Sequence, residues 1–278
     1  MQFMLFVFFT AAYAYQIVYL FVGLIGKGRG GRENAKLHRY AAVVAARNES
    51  AVIANLIRTL KEQNYPSELL DIYVIADNCT DNTAQISRQA GAYVYERFNK
   101  VQVGKGYALE YLFHHIFEDK GETAYDGFFV FDADNIVDRD FVREMNKMFD
   151  TGEYTALTSY RNSQNFCANW ISAGYALWFL RESRFLNRPR TQLGVNCAVS
   201  GTGFLVSAQA VREDAGWPYH LLTEDIEFSV DNIINGEKIA YAADAMLYDE
   251  QPETFSQSWK QRLRWAKGYL QVFMNYGG

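Results

Sequence analysis

GFFVFDAD (127–134) is an apolar run bounded by glycine and acids, the pattern of a strand buried on both faces, and Asp132 and Asp134 stand where it ends. Working outward, the same shape recurs. AAVVAAR (41–47) and LDIYVIAD (70–77) are apolar runs, the second again ending in an acid, and YVYE (93–96) is a third short strand. Helical patterns separate them. Val52, Ile53, Leu56, Ile57 and Leu60 follow the plausible cap Asn48-Glu49-Ser50, Thr80 or Asp81 opens a second helix, and GYALEYLFHHIFE (106–118) is a third. Such alternation predicts a parallel α/β sheet with helices on both faces, and ligands in these sheets bind beyond the carboxyl ends of the strands. Both acid clusters fall there.

The second half is less regular. QNFCANWISAGYALWFLRESRFLN (164–187) reads as an aromatic helix whose uncharged core is cut short by Arg181 and Glu182, suited to a membrane surface or to the core and not to crossing a bilayer. SGTGFLVS (200–207) is a glycine-rich turn entering a strand, TEDIEFSVDNIING (223–236) a helix closed by Gly236, and KIAYAADAMLYDE (238–250) one or two strands. FSQSWKQRLRWAKGYLQVFMNY (255–276) is a basic, amphipathic helix bearing Trp259 and Trp265.

With 278 residues, 49% of them hydrophobic, the chain can bury one large α/β domain or two small ones. Its 27 Lys+Arg against 32 Asp+Glu leave a formal charge of −5, which argues against a general nucleic-acid binder. Cys79, Cys167 and Cys197 are odd in number and lack CxxC spacing, so they indicate neither a disulfide framework nor a zinc site and fit a reducing compartment. Met1 to Gly26 carries no charge and is long enough to span a bilayer, without the positive start of a signal peptide. Lys27, Arg29, Arg32, Lys36 and Arg39 then face a single acid, Glu33, which places the downstream chain in the cytoplasm, with the protein in the cell's inner membrane.

The chemistry-bearing residues each have two readings. Asp132 and Asp134 offer hard oxygen ligands for Mg²⁺ or Mn²⁺, or are a solvated pair in a loop. Asp77 either hydrogen-bonds a nucleoside or caps a helix. Lys105, between two glycines at a helix start, meets a phosphate together with backbone amides, or is simply solvated. Thr223 is an N-cap with Glu224 and Asp225 complementing the helix dipole, unless one acid is a general base. Gln261, Arg264 and Trp265 share one helical face and can converge on one ligand, while Trp265 could instead anchor the helix at a membrane interface.

Taken in order, Asp77, DAD (132–134), TED (223–225) and QRLRW (261–265) resemble the family-2 processive glycosyltransferases, the group of cellulose, chitin, hyaluronan and poly-N-acetylglucosamine synthases. The resemblance runs from about Ala41 to Leu270. It implies a GT-A fold, a nucleotide-binding, mostly parallel sheet flanked by helices: residues 1–26 as a transmembrane helix, 27–40 a basic cytoplasmic linker, 41–253 the GT-A domain and 254–278 an amphipathic interface helix. It also implies roles. Asp77 would meet the uridine of a UDP-sugar, Lys105 the nucleotide or its phosphates, and Glu49 the donor. Asp132 and Asp134 would hold UDP with Mg²⁺ or Mn²⁺, and Gln261 and Arg264 would contact the diphosphate. Asp225 would be the general base, with Glu224, Trp265 and the loop Gly201-Thr202-Gly203 on the acceptor side.

The implied reaction is metal-dependent, inverting transfer of a hexosyl or N-acetylhexosaminyl group to a growing β-linked polysaccharide. A lipid or glycolipid acceptor is the nearest alternative, and a catalytically silent membrane subunit a more distant one. Two departures stand out. Asn78 occupies the place of a second acid found in many relatives. The sequence also ends at Asn275-Tyr276-Gly277-Gly278 where the family continues into membrane helices, so the expectation is a fragment or an export path supplied by another membrane subunit.

Overall fold

The computed structural model describes residues 1–26 and 30–277, so Lys27 and Arg29 of the basic cluster, and Gly278, lie outside the described residues. The uncharged leader forms α1 (Gln2–Tyr13) and α2 (Tyr15–Ile25), in line with each other through helical Ala14. Together they make a 24-residue apolar rod, about 36 Å long at the rise of an α-helix and therefore longer than a bilayer's hydrocarbon core.

Strand β1 (Tyr40–Ala46) is apolar almost throughout because both its faces are covered and both its edges paired. It lies parallel to β2 (Leu70–Asp77) on one side and to β4 (Gly127–Asp132) on the other, with β3 (Tyr93–Arg97) parallel to β2 at the edge. Right-handed crossovers of this kind need helices on the sheet faces, and α3 (Ile53–Lys61), α4 (Thr83–Gln89) and α5 (Lys105–Lys120) supply them. Alternation along β4 sorts the core: Phe129 and Phe131 pack with Leu56, Ile57 and the helix α6 (Phe141–Phe149), while Phe128 and Val130 pack with Leu109, Phe113 and Trp217.

Beyond β4 the sheet changes character. The full order is β3-β2-β1-β4-β7-β6-β8-β5, with β5 (Ile136–Val137), β6 (Ala156–Ser163), β7 (Phe204–Ser207) and β8 (Ile239–Asp249). β7 is antiparallel to both β4 and β6, β6 is parallel to β8, and β5 is antiparallel to β8. The parallel sheet read from the sequence is therefore the first half of a mixed one. β7 joins the two halves, pairing with β4 on one side and on the other with β6, whose ALTSYRNS is too polar to read as a buried strand.

Several local expectations change. α3 starts at Ile53 with no side-chain cap, because Asn48 takes a left-handed φ of 58° and turns its amide oxygen to Thr80 N at 2.7 Å. Asp81, not Asp77, serves the start of α4, accepting from Thr83 N at 3.0 Å. The segment 164–187 is not one helix: an Asn169 capping box opens α7 (Trp170–Glu182), a π-helical turn follows over Ser183–Asn187, and α8 (Arg188–Leu193) completes it. α7 buries Ser172, Tyr175 and Phe179 and exposes Trp170, Leu177 and Trp178, so it is at once a core and a surface element. The remaining helices are α9 (Ala208–Glu213), α10 (Glu224–Ile234) and α11 (Phe255–Tyr276), the last fixed at its start by a Thr254–Gln257 capping box.

Candidate active site

The carboxyl ends of β1, β2 and β4 open on one side of the sheet. Asp77 closes β2 and is buried, and Arg97, equally buried, donates to its Oδ1 at 2.7 Å and to the Gln102 carbonyl at 2.8 Å. Asn78 explains its own departure from the acidic pattern. Its φ of 52° suits an asparagine, and its side chain braces Asn99 by accepting from N at 2.9 Å and donating to O at 3.0 Å.

At the end of β4, the Lys105 ammonium donates to Asp132 Oδ1 at 2.5 Å and to the Gly201 carbonyl at 2.6 Å, with Glu224 at 3.8 Å. One cation thus ties β4, the glycine loop and α10 together. Thr202 is buried, accepts from Asp132 N at 2.8 Å and donates to Asn135, so its hydroxyl braces the loop. Gly203 has a φ of 64°, and a Cβ there would overlap Leu247, which leaves no room for another residue. Asp134 sits just past the strand. Burial first, then Asp249, Asp132 and Glu49, push its carboxyl up to about 7. Asp249 is itself satisfied by Arg161, whose Nε donates at 2.8 Å, and by Asn135 at 3.0 Å. Among the described residues Asp134 has no cationic partner, whereas Asp132 has Lys105 and Asp249 has Arg161. Glu49 faces the same cluster, its pKa raised by burial and by Asp132.

Asp225 and Glu224 occupy the first turn of α10, where unpaired amides favour carboxylates. Burial is the main cause that raises both. It carries Glu224 up to about 7 against the opposing pull of Lys105, and raises Asp225 against backbone donation at Ile226. Gly201, with a φ of 74°, passes beside Asp225: a Cβ there would lie 3.7 Å from its Oδ2, in ordinary contact. Thr223 does not cap α10 with its hydroxyl, because that side chain is pressed against Gly268 of α11.

On α11, Ser258, Gln261, Trp265, Gly268 and Val272 turn inward. Trp265 meets Tyr175 of α7 edge to face at 6.0 Å, and Gln261 Oε1 is buried without a partner. Arg264 lies on the exposed flank, one step off this stripe. The structure therefore gathers Lys105, Asp132, Gly201, Glu224 and Asp225 at one strand end, with Asp134 and Glu49 beside them. Asp77 stands at the next strand end, and no contact joins Arg264 to these residues among the described part of the chain.

In comparison with known protein families, residues 38–268 match the family described as glycosyltransferase-like family 2. The chain belongs to that family. Among curated proteins, this family-2 glycosyltransferase is 27% identical over 239 residues to a β-monoglucosyldiacylglycerol synthase of Synechocystis, covering 84% of this chain and 48% of the relative. It is 24% identical over 246 residues to a poly-β-1,6-N-acetyl-D-glucosamine synthase of Staphylococcus epidermidis, covering 87% of this chain and 57% of the relative. The chain thus spans about half the length of these curated relatives. A solved mannosyltransferase of Pyrobaculum calidifontis, in complex with GDP-Man and Mn²⁺, superposes with a TM-score of 0.72 at 17% identity, over 97% of this chain and 74% of that one. Glucosyl-3-phosphoglycerate synthase of Mycobacterium tuberculosis, in complex with Mn²⁺, UDP and glucosyl-3-phosphoglycerate, gives a TM-score of 0.55 at 16% identity over 86% of this chain and 80% of that one. At these identities the likeness establishes the GT-A fold.

Three further residues of this glycosyltransferase escaped the sequence reading. Asp249 ends β8 as Asp77 ends β2, a signal that was present in LYDE. Arg161 carried none, since its strand was not recognised. Tyr269, whose pKa is raised by burial, Asp225 and Glu182, lies just past QRLRW on α11.

Proposed function

We propose that this family-2 glycosyltransferase is anchored by Gln2–Ile25 and transfers a hexosyl or N-acetylhexosaminyl group from a UDP-sugar, with inversion, to a growing β-linked polysaccharide. The observation that carries this reading is the placement of Asp225, raised by burial and lying beside Gly201, next to the Lys105–Asp132 pair at the strand ends. The acceptor hydroxyl attacks the anomeric carbon as the bond to the diphosphate breaks, and Asp225 takes the hydroxyl proton. One base on the face opposite the leaving group gives inversion without a second carboxylate nucleophile. Lys105 puts a fixed positive charge where the diphosphate oxygens gain charge. In this reading Asp77, braced by Arg97, meets the uridine, Gln261 the diphosphate and Trp265 the acceptor sugar.

A divalent ion fits the acid cluster. Among the described residues no three His, Cys, Asp or Glu side chains form a metal cage, but Mg²⁺ and Mn²⁺ commonly use one or two carboxylates and complete their shell with water and phosphate. Asp134 is the acid left without a cation, and Asp132 is beside it. When bound, the ion would neutralise charge on the departing diphosphate.

Apolar side chains exposed along α7 and α11, among them Trp178, Leu263 and Leu270, favour a second reading in which the acceptor is a glycolipid. UDP release by the membrane-embedded protein should be measured with UDP-glucose, UDP-N-acetylglucosamine and GDP-mannose, each with a β-linked oligosaccharide or diacylglycerol. Preference for a UDP-sugar with the oligosaccharide supports the proposal, and preference for GDP-mannose overturns it. Trp265→Ala is expected to lower elongation about tenfold or more beyond its effect on donor hydrolysis, because water has no ring to position. A proportional fall in both would assign Trp265 to packing against Tyr175.

A further inference from the structure

A cavity of about 300 Å³, unused by the transfer chemistry, is lined by Tyr160, Arg184, Arg188, Lys147, Glu144 and Asp244. Its floor is an irregularity between β6 and β8. The register there jumps from Ser159 opposite Ala242 to Tyr160 opposite Met246, so Ala243–Ala245 are extra residues on β8, with Asp244 exposed and Ala245 buried in the core. Alternation along β6 directs Tyr160 to the face opposite Arg161 and thus away from Asp249 and the glycine loop.

The charges in this cavity are unevenly matched. Lys147 is held by Glu144 at 3.0 Å, and Asp244 is exposed. Arg184 is exposed and, among the described residues, has no carboxylate or hydrogen-bond partner. Arg188 donates to the Gly26 carbonyl at 3.3 Å, while its buried Nε has no partner. Elsewhere in the basic cluster, Arg32 is paired with Asp150 at 3.4 Å and Arg39 with Asp71 at 3.0 Å. Arg184 and Arg188 are therefore cations left open.

Their position is set by the apolar rod. α2 lands on the π-helical turn and α8: Gly23 is so close that a Cβ there would lie 2.7 Å from the Arg184 carbonyl and 3.3 Å from Pro189, and Arg181 donates to Gln16 at 2.6 Å. A helix that crosses a bilayer ends at the headgroups, so both arginines stand at the depth of the lipid phosphates. We propose that this cavity binds the phosphate of an anionic phospholipid headgroup, with Arg184 and Arg188 as its cations and Tyr160 as a hydroxyl donor. This rests on reading Gln2–Ile25 as a membrane span and is independent of the sugar transferred.

The test is calorimetric titration of the full chain, in a non-ionic detergent, with short-chain phosphatidylglycerol, short-chain phosphatidylcholine and inorganic phosphate. Phosphatidylglycerol is expected to bind roughly tenfold or more tighter than phosphatidylcholine. Arg184→Gln/Arg188→Gln should abolish that preference, and Arg184→Lys/Arg188→Lys should keep most of it. Arg184→Gln alone removes an exposed, unpartnered charge without touching the packing, and should weaken phosphatidylglycerol binding about threefold or more. Equal binding of the two lipids, or a preference that survives the double glutamine variant, overturns the proposal. Inorganic phosphate binding as tightly as the lipid also overturns it, by making the cavity a small-anion site. Partition of the chain into the aqueous phase of a detergent phase separation would sink the membrane-span reading instead, and does not depend on the cavity.

Discussion

Asp225→Asn is expected to lower turnover by about 10²–10⁴-fold while UDP affinity stays within about twofold of the parent. A base takes its proton in the transition state and adds little to ground-state donor binding, so the loss falls on kcat. Burial raises both Asp225 and its neighbour Glu224, the latter up to about 7. A carboxyl is an effective base only when ionised, so activity should rise with pH through the raised pKa of Asp225, and the acid limb of the parent profile should lie above the usual carboxylate range. Turnover, calorimetry with UDP and the pH profile check this together. Turnover within threefold of the parent ends the assignment, and an equal loss in Glu224→Gln with Asp225→Asn unaffected would move the base to Glu224.

Asp134→Ala is expected to reduce activity by about 10²-fold or more and to weaken UDP binding, and chelation of the parent should do the same until Mg²⁺ or Mn²⁺ is restored. The physical reason is the crowding of Asp134 by Asp249, Asp132 and Glu49 without a cation of its own. That cluster is strained electrostatically until a positive charge enters. Metal-dependent UDP binding in the parent, absent in the variant, is the reading to look for. Full activity in chelator would make the acids structural.

Much of the first half was legible because its signals are local. An apolar run that ends in Asp fixes both a buried strand and the position of its carboxylate, which is why Asp77 and Asp132 fall at strand ends as read. The second half depends on partners far away in sequence. β6 is recognisable as a strand only through its pairing with β7 and β8, and Arg161 becomes part of the site only because Asp249, two positions past Leu247 on β8, accepts from its guanidinium. The Lys105–Asp132 contact has no sequence signature either, since a lysine between two glycines reads equally well as solvated. Thr223 shows the reverse case: its sequence context indicates a cap, but Gly268 lets α11 approach so closely that the hydroxyl is packed instead.

The antiparallel seam between β4 and β7 has an evolutionary consequence. It divides the molecule into a half whose parallel strands end in Asp77 and Asp132 and a half built from irregular strands, a turn and helices. Across the seam the halves share a core, Phe128 and Val130 with Trp217 and Phe228, and at the strand ends Thr202 holds Asp132 while Lys105 reaches Gly201. A chain joined in this way can vary through its irregular second half only where the shared core and these two contacts are kept.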